Sequence, residues 1–187
     1  MILPIVAYGA SVLKKKAVDI NKDYPALADL IDNMFHTMYN AHGVGLAAPQ
    51  IGLSIRLFVV DANPFAEDEA SLKNFKKVFI NAQIVEESGE KWKFNEGCLS
   101  IPGVREDIER VPSIRLKWVD EHFTPFEETF TGLKARVIQH EYDHIDGILF
   151  TDRMSQLKRT ILHSKLNNIS KGKVNVDYRM KFPQIKK

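Results

Sequence analysis

Two histidines four residues apart, with a glutamate directly after the first, are the residues of this chain best suited to chemistry. They lie in the segment QHEYDH at 139–144. On a helix, residues i and i+4 share a face, so His140 and His144 can bind one metal ion with Glu141 beside them. Neutral imidazoles and a nearby carboxylate are the groups used in metal-assisted hydrolysis. For this short pattern alone, a chance arrangement on an exposed helix is the alternative.

Cys98 is the second residue whose type suggests chemistry, and it is the one cysteine of the chain. A lone cysteine excludes an internal disulfide and therefore the class of disulfide-stapled secreted proteins. Gly97 precedes the thiol and Pro102 and Gly103 follow it, which predicts a bent segment that can aim the sulfur. The alternative is a small buried hydrophobe, the usual fate of a single cysteine.

Length and composition place the chain among ordinary soluble proteins with one domain. Its 187 residues are enough to bury a core, and 44% hydrophobic and 27% charged residues are average values. No apolar run approaches the roughly 20 residues needed to cross a bilayer. The apolar start at 1–8 has its lysines, 14–16, behind it, which is the wrong order for a secretory signal. We therefore expect a cytoplasmic protein without membrane contact.

The net charge of +2 conceals a basic C-terminal segment. Residues 151–187 carry ten Lys and Arg against two Asp and Glu, whereas the first 150 residues carry 16 against 22. A solvated helix and tail is the ordinary meaning of such a run. A nucleic-acid contact is the functional alternative.

Hydrophobic periodicity predicts helices at 24–41, from 132 to the closing Gly147, and at about 155–168, with strands at 55–60, 78–86, 113–119 and 126–130. Because the strands cluster before the last helices, the predicted class is α+β. We expect a single domain with antiparallel or mixed β-sheets around a central helix that carries the histidines. The segment 62–76 is predicted to be an exposed loop. The last helix carries Leu157, Ile161 and Leu162 on one side and basic residues elsewhere.

Three segments, taken in order, carry a family resemblance. They read GVGLAAPQ at 43–50, EGCLS at 96–100 and HEYDH at 140–144. Together they resemble the peptide deformylase family, which removes the N-formyl group from nascent bacterial polypeptides. The opening of the chain and its basic C-terminal helix are also similar, so the resemblance covers nearly the whole chain. Pro49 and the long 62–76 loop are less usual in the family.

The resemblance implies a metal centre with a base beside it. Cys98, His140 and His144 would bind one divalent ion and leave a fourth tetrahedral position for water. Glu141 would act as general acid and base while the metal-bound water attacks the formyl carbon. The Cys-His-His set suits Zn²⁺, but the family characteristically works with Fe²⁺. Zn²⁺, Ni²⁺ or Co²⁺ are alternatives in preparations.

The resemblance also implies how the substrate is held. The side-chain amide of Gln50 and the backbone N–H of Leu99 would stabilise the developing oxyanion. The glycines of the first segment would let the backbone approach an extended peptide. The residues expected to bind the substrate and its methionine side chain are Val44, Gly45, Leu133 and Val137.

Two other functions fit part of the pattern. A zinc endopeptidase uses the same helix motif, but its third ligand usually lies downstream, whereas Cys98 lies upstream. A structural metal site in an RNA- or ribosome-binding protein would suit the basic end of the chain. Such a site, however, normally closes all four positions with protein ligands.

Partners and boundaries follow from the same resemblance. The expected substrate is an N-formylmethionyl peptide, the expected oligomeric state is a monomer, and the basic end is expected to contact the ribosome. We expect a catalytic domain over 1–168, with 169–187 as a basic C-terminal extension of that domain.

Overall fold

Three α-helices occur in the part of the chain that the computed structural model describes, residues 1–67 and 69–183. They are α1 (Leu27–Asn40), α2 (Gly132–Ile145) and α3 (Gln156–Ser170). The three predicted helices are thereby confirmed. Position 68 of the predicted loop and positions 184–187 of the predicted extension lie outside the described residues. None of the described helices has the length and apolar character needed to cross a membrane.

The described strands form three small sheets. They are β1 (Ile5–Val6), β2 (Gly45–Ala47), β3 (Leu57–Asp61), β4 (Lys76–Ser88), β5 (Trp92–Cys98), β6 (Ile101–Arg110), β7 (Ser113–Val119), β8 (Pro125–Thr131) and β9 (Met180–Lys181). Five strands form an antiparallel sheet in the order β2-β3-β4-β7-β8, and β5 and β6 form a separate hairpin. The third sheet pairs β1 with β9 in parallel. The mixed α+β class predicted from the sequence is confirmed.

The histidine helix α2 is buried on nearly all sides. It contacts β2, β3 and β8 of the five-stranded sheet. There Ala135 and Ile138 join a core that includes Phe79 and Trp118. A helix that is buried all round lies at the centre of a domain. The predicted central position of the histidine helix is therefore confirmed.

The periodicities in the sequence correspond to buried faces. In β7, Ile114 and Leu116 are buried while Arg115 and Lys117 are exposed, as the alternation predicts. In α1, the residues at helical spacing form most of the buried side. That side packs into a second core, with residues of β3 and β4.

The segment 62–76 differs from the exposed loop that was predicted. It contains 3₁₀ turns at Asn63–Phe65 and Ala70–Leu72. Leu72 and Phe75 are buried in the core that α2 also joins. Isolated apolar residues among charged ones have no period, so no sequence pattern indicates that Leu72 and Phe75 are buried.

The β5–β6 hairpin was not predicted as a pair of strands. It pairs Trp92 with Arg110 at one end and Cys98 with Ile101 at the other. Glu96 of β5 and Arg110 of β6 are buried although both are charged. Burial of charged residues obscures the alternation of apolar and polar positions by which a strand is recognised.

Helix α3 turns a different side to the core than its first apolar residues suggest. Leu166 and Ile169 are buried, and Leu162 is half-buried. Leu157 and Ile161, by contrast, are 71% and 70% exposed. The apolar residues of α3 therefore lie on two different sides of the helix. The side that contains Leu162, Leu166 and Ile169 packs into the core.

We predict that Leu166→Ala lowers the free energy of unfolding by about 2–5 kcal/mol, because it leaves a cavity in a packed core. The same change at Leu157, on the exposed side of α3, should stay within about 0.5 kcal/mol of the parent chain. Urea unfolding midpoints of the two variants provide the measurement. Equal losses from both variants would contradict this orientation of α3.

Candidate metal centre

Cys98, His140 and His144 converge although they come from the β5–β6 hairpin and from α2. One donor atom from each residue lies within 4.8 Å of the other two. Sγ of Cys98 is 3.4 Å from Nε2 of His144. The two imidazoles are one helical turn apart, with ring centroids separated by 5.2 Å. The structure thus brings together the three residues predicted as metal ligands.

The carboxylate of Glu96 sets the orientation of His140. Oε2 of Glu96 lies 3.0 Å from Nδ1 of His140, so Nδ1 carries a proton. Nε2 is then the ring nitrogen that can bind a metal ion. Burial opposes a charge on His140, but hydrogen bonds with Cys98 and Glu96 outweigh it and raise the pKa to about 10. Burial, then the positive charges of His140 and Arg110, lower the pKa of His144 well below its ordinary value. A metal ion bound through Nε2 of His140 would replace the proton there.

Glu96 is itself held by a buried network of ion pairs. It accepts hydrogen bonds from Arg110 at 2.7 and 2.9 Å and from Arg136 at 3.0 Å. Arg110 also donates to Asp143 at 2.7 Å, and Asp143 accepts two hydrogen bonds from Arg153. Burial acts to raise the pKa of Glu96, but bonds from the imidazole and from Arg110 hold it well below its usual range. The supporting carboxylate therefore stays charged.

Sequence reasoning missed the three arginines of this network. Arg110 lies in β6, Arg136 in α2 and Arg153 in a 3₁₀ turn, so no local spacing connects them. Arg136 offered one signal, because it stands among apolar residues of the central helix. A charge in such a position is almost never fully buried without a partner.

Glu141 is a buried carboxylate beside the three convergent residues. It is 4% exposed, and burial raises its pKa to about 7 although His140 and Arg110 act to lower it. Its Oε2 has no hydrogen-bond partner among the described residues. A carboxylate that titrates near neutrality and has an open oxygen can accept and return a proton.

Glycines of the GVGLAAPQ segment allow this close packing. A Cβ at Gly45 would lie 2.7 Å from Cδ of Glu141, and one at Gly43 would lie 2.7 Å from Cδ1 of Leu99. Both distances are shorter than real side-chain contacts, so any larger residue would displace the neighbour. The glycines were expected to let a substrate approach. The structure adds that they let two of the chain's own site residues, Glu141 and Leu99, approach this segment.

Gln50 and Leu99, the predicted oxyanion donors, both line the cleft beside the thiol. Oε1 of Gln50 accepts a hydrogen bond from the Ala47 N–H at 2.8 Å. Its Nε2 is therefore directed towards Sγ of Cys98 at 3.5 Å and Oγ of Ser100 at 3.4 Å. Leu99 follows Cys98 in the turn of the β5–β6 hairpin.

A cleft of about 820 Å³ opens onto this site. Among the predicted substrate-binding residues, Val44, Gly45 and Val137 line it. Leu133 is not among the lining residues. It packs half-buried against the core that α2 joins, a core that Val44 also contacts. Glu141 also lines this cleft, so a molecule bound there would contact it directly.

The residues present fit a bound divalent ion. One thiol and two imidazoles form a typical donor set for a tetrahedral ion with an open fourth position. Their donor atoms already lie within 4.8 Å of one another. A carboxylate on the far nitrogen of a ligand histidine is the usual support of such a site, and Glu96 provides it.

Known proteins resemble this chain over nearly its whole length. The family model described as polypeptide deformylase matches residues 2–160. A peptide deformylase of Christiangramia forsetii is 61% identical over 100% of this chain and 99% of its own length, and one of Salinibacter ruber is 46% identical over 95% and 93%. The crystal structure of a peptide deformylase from Legionella pneumophila superposes with a TM-score of 0.80 at 39% identity, covering 92% of this chain and 98% of that one. The chain belongs to the polypeptide deformylase family.

Proposed function

We propose that the cleft binds N-formylmethionyl ends of nascent polypeptides and that the chain hydrolyses their formyl group, releasing formate. The observation that carries this proposal is the buried Glu141 that lines the cleft beside the convergent Cys98, His140 and His144. The set supplies both a place for a Lewis acid and a proton acceptor. Family membership supports the choice of substrate.

Cys98, His140 and His144 are proposed to hold one divalent ion. Fe²⁺ is the proposed native ion, and Zn²⁺, Ni²⁺ or Co²⁺ would fit the same donors. When bound, the ion supplies Lewis-acid polarisation and makes water a nucleophile at neutral pH. Glu96 keeps the imidazole of His140 turned towards the site.

Glu141 is proposed to move the proton. Its open Oε2 accepts a proton from the water that attacks the formyl carbon. The same carboxyl then donates that proton to the amine nitrogen as the carbon–nitrogen bond breaks. A pKa near 7 suits both steps, because the group must gain and lose a proton at the same pH.

The Gln50 side-chain N–H and the Leu99 backbone N–H are proposed to stabilise the negative charge that develops on the formyl oxygen. Gln50 is suited to this because its own oxygen is already occupied by the Ala47 N–H. Donors fixed before the reaction are effective, since no reorientation is needed as charge develops.

The methionine side chain is proposed to bind against Val44, Gly45 and Val137, which line the cleft. Leu133 supports this pocket from the core, one helical turn before Val137. A flexible thioether fills an apolar pocket well.

The chain is proposed to act as a monomer in the cytoplasm, where nascent chains are synthesised. Residues 1–168 form the proposed catalytic domain and 169–187 its basic C-terminal extension. In support of one common domain, β9 of the extension pairs with β1 at the start of the chain.

Formate release from formyl-Met-Ala tests the function, with formyl-Gly-Ala and an internal peptide as comparators. We expect catalytic efficiency on formyl-Gly-Ala to be about 10- to 100-fold lower, because the apolar pocket stays unfilled. Equal efficiency on the two formyl peptides would contradict the pocket. Cleavage of the internal peptide without formate release would favour an endopeptidase, and a full metal site with neither activity would favour a structural role.

Cys98→Ser should lower metal affinity by more than the roughly 10- to 100-fold typical of losing an outer-shell partner, because an alcohol is a far poorer ligand than a thiolate. Elemental analysis and calorimetric titration with Zn²⁺ measure this directly. His140→Ala and His144→Ala should behave alike. A full equivalent of tightly bound metal in all three variants would rule out this ligand set.

The matched variant Glu141→Gln keeps the shape of the side chain and should keep the metal. Its turnover should fall by roughly 10²–10⁴, the usual contribution of an acid–base group. Loss of metal and turnover together would instead place Glu141 among the ligands. Near-normal turnover with metal retained would end the proposed proton-transfer role.

The basic C-terminal end is proposed to contact ribosomal RNA. Lys158 pairs with Glu106, and Nζ of Lys165 donates to the Gly103 carbonyl, so these two are engaged with the protein's own hairpin. Arg159, Lys171 and Lys173 are exposed, and no carboxylate among the described residues pairs with them. These three are therefore the better candidates for phosphate contacts.

Reversing Arg159, Lys171 and Lys173 to Glu should weaken ribosome co-sedimentation and reduce its dependence on salt, while activity on short peptides is spared. The matched control reverses three lysines that are exposed near the N-terminus, at positions 15, 16 and 22. Equal weakening by both triple variants would show that overall charge, rather than this segment, determines binding. If neither triple variant weakens ribosome co-sedimentation, the basic segment is a solvated tail and the proposed RNA contact is wrong.

A further inference from the structure

Segments near the start and near the end of the described chain meet beside the turn that follows Cys98. β1 and β9 pair in parallel, with Ile5 opposite Met180. The N–H of Ile5 donates to the Arg179 carbonyl, and that of Ala7 donates to the Lys181 carbonyl, both at 2.9 Å. The terminal segments are thus joined to each other, and we call the joined segments 5–8 and 178–181 the terminal clasp.

The terminal clasp holds both carbonyls of the hairpin turn. Leu99 and Ser100 link β5 to β6, so their carbonyls lie outside the strand ladder. The backbone N–H of Tyr8 donates to the Ser100 carbonyl at 2.8 Å. The phenol O–H of Tyr178 donates to the Leu99 carbonyl, also at 2.8 Å. Each terminus therefore holds one peptide group of the turn.

Tyr178 also lies in the wall of the substrate cleft. The segment 175–178 lines the cleft, together with Leu99 and Gly43. Tyr178 is half-buried and packs with Leu99 against the core that contains α1. The hydrogen bond to Leu99 is consequently shielded in part from solvent, which makes it stronger than an exposed one.

We propose that Tyr178 is a positioning residue that fixes the Leu99 backbone for catalysis. This inference rests on the proposed role of the Leu99 N–H as an oxyanion donor. Cys98, at the end of β5, restrains the chain before Leu99, and the phenol restrains the peptide group after it. With both sides restrained, the N–H direction is set before substrate binds. Catalytic donors depend on such placement, because small displacements cost much of the stabilisation of the transition state.

A merely structural role would have different consequences. One neutral hydrogen bond contributes modestly to the stability of a chain of this size. If Tyr178 served only to fasten the tail, its removal would lower thermal stability or raise KM as the cleft wall loosens. If it positions Leu99, kcat falls and KM changes little, since the affected interaction exists in the transition state.

The test compares Tyr178→Phe with Tyr39→Phe. Both changes remove one bonded phenol oxygen, since the Tyr39 O–H donates to Asp61 at 2.7 Å on the exposed side of α1. We expect kcat on a formyl-Met peptide to fall roughly 5- to 30-fold in Tyr178→Phe, with KM within about twofold of the parent. Tyr39→Phe should match the parent chain. Metal content should equal one ion per chain in all three proteins.

Hydrogen exchange supplies a readout that does not depend on activity. Mass spectrometry of the fragment spanning 96–104 should show faster exchange in Tyr178→Phe and no change in Tyr39→Phe, because the turn opens more often. Parent-like kcat and parent-like exchange in Tyr178→Phe, or a rise in KM alone, would overturn the inference. Failure of the parent chain to release formate would count against the proposed function instead.

Discussion

The rest of the site depends on the buried carboxylate of Glu96. It belongs to the β5–β6 hairpin, which carries Cys98, and it binds His140 and Arg136 of α2. Among the described strands, β5 and β6 form a sheet of their own, so no hydrogen bonds between strands join the hairpin to the five-stranded sheet. Buried charged side chains join the hairpin to α2, in addition to the terminal clasp at its turn and the apolar contacts of β6. The same carboxylate that docks the hairpin on α2 therefore also brings the thiol to the imidazoles.

Such a connection is stable only when every buried charge has a partner. A buried carboxylate stripped of its cations costs about 3–5 kcal/mol, and the cost of desolvation falls on both members of a pair. Here Arg110 bridges Glu96 and Asp143, and Arg153 closes the other side of Asp143. The network spans β5, β6, α2 and the turn before α3. Its parts cannot move independently, which is the rigidity that a precise ligand set requires.

Glu141 of α2 shows the opposite treatment of a buried carboxylate from Glu96 of β5. It is buried against Gly45, no cation among the described residues pairs with it, and burial raises its pKa to about 7. Glu96 and Glu141 are thus held in different protonation states by their surroundings: Glu96 is charged and structural, and Glu141 is ready to exchange a proton. The absence of a side chain at Gly45 contributes to this burial, because a Cβ there would collide with the Glu141 carboxylate.

The sequence predicted what is local or repeated in a known order, and missed what depends on contacts between distant segments. The helices, the strand at 113–119 and the convergence of Cys98 with His140 and His144 followed from spacing and from the three motifs. Arg110 and Tyr178 could not be found in this way. Each acts on a residue far away in sequence, and neither stands in a pattern that sets it apart from ordinary strand or tail residues.

The basic end of the chain illustrates the same limit, because charge count alone does not separate residues that bind a partner from residues that hold the fold. Helix α3 contacts β6, where Lys158 pairs with Glu106 and Lys165 reaches the Gly103 carbonyl. The hairpin that carries Cys98 is therefore held by α2 on one side and by α3 on another. Changing Lys158 or Lys165 would alter a support of the hairpin and the charge of the surface together. A loss of ribosome binding in such a variant would not identify its cause, whereas exposed cations such as Arg159 isolate the effect of charge.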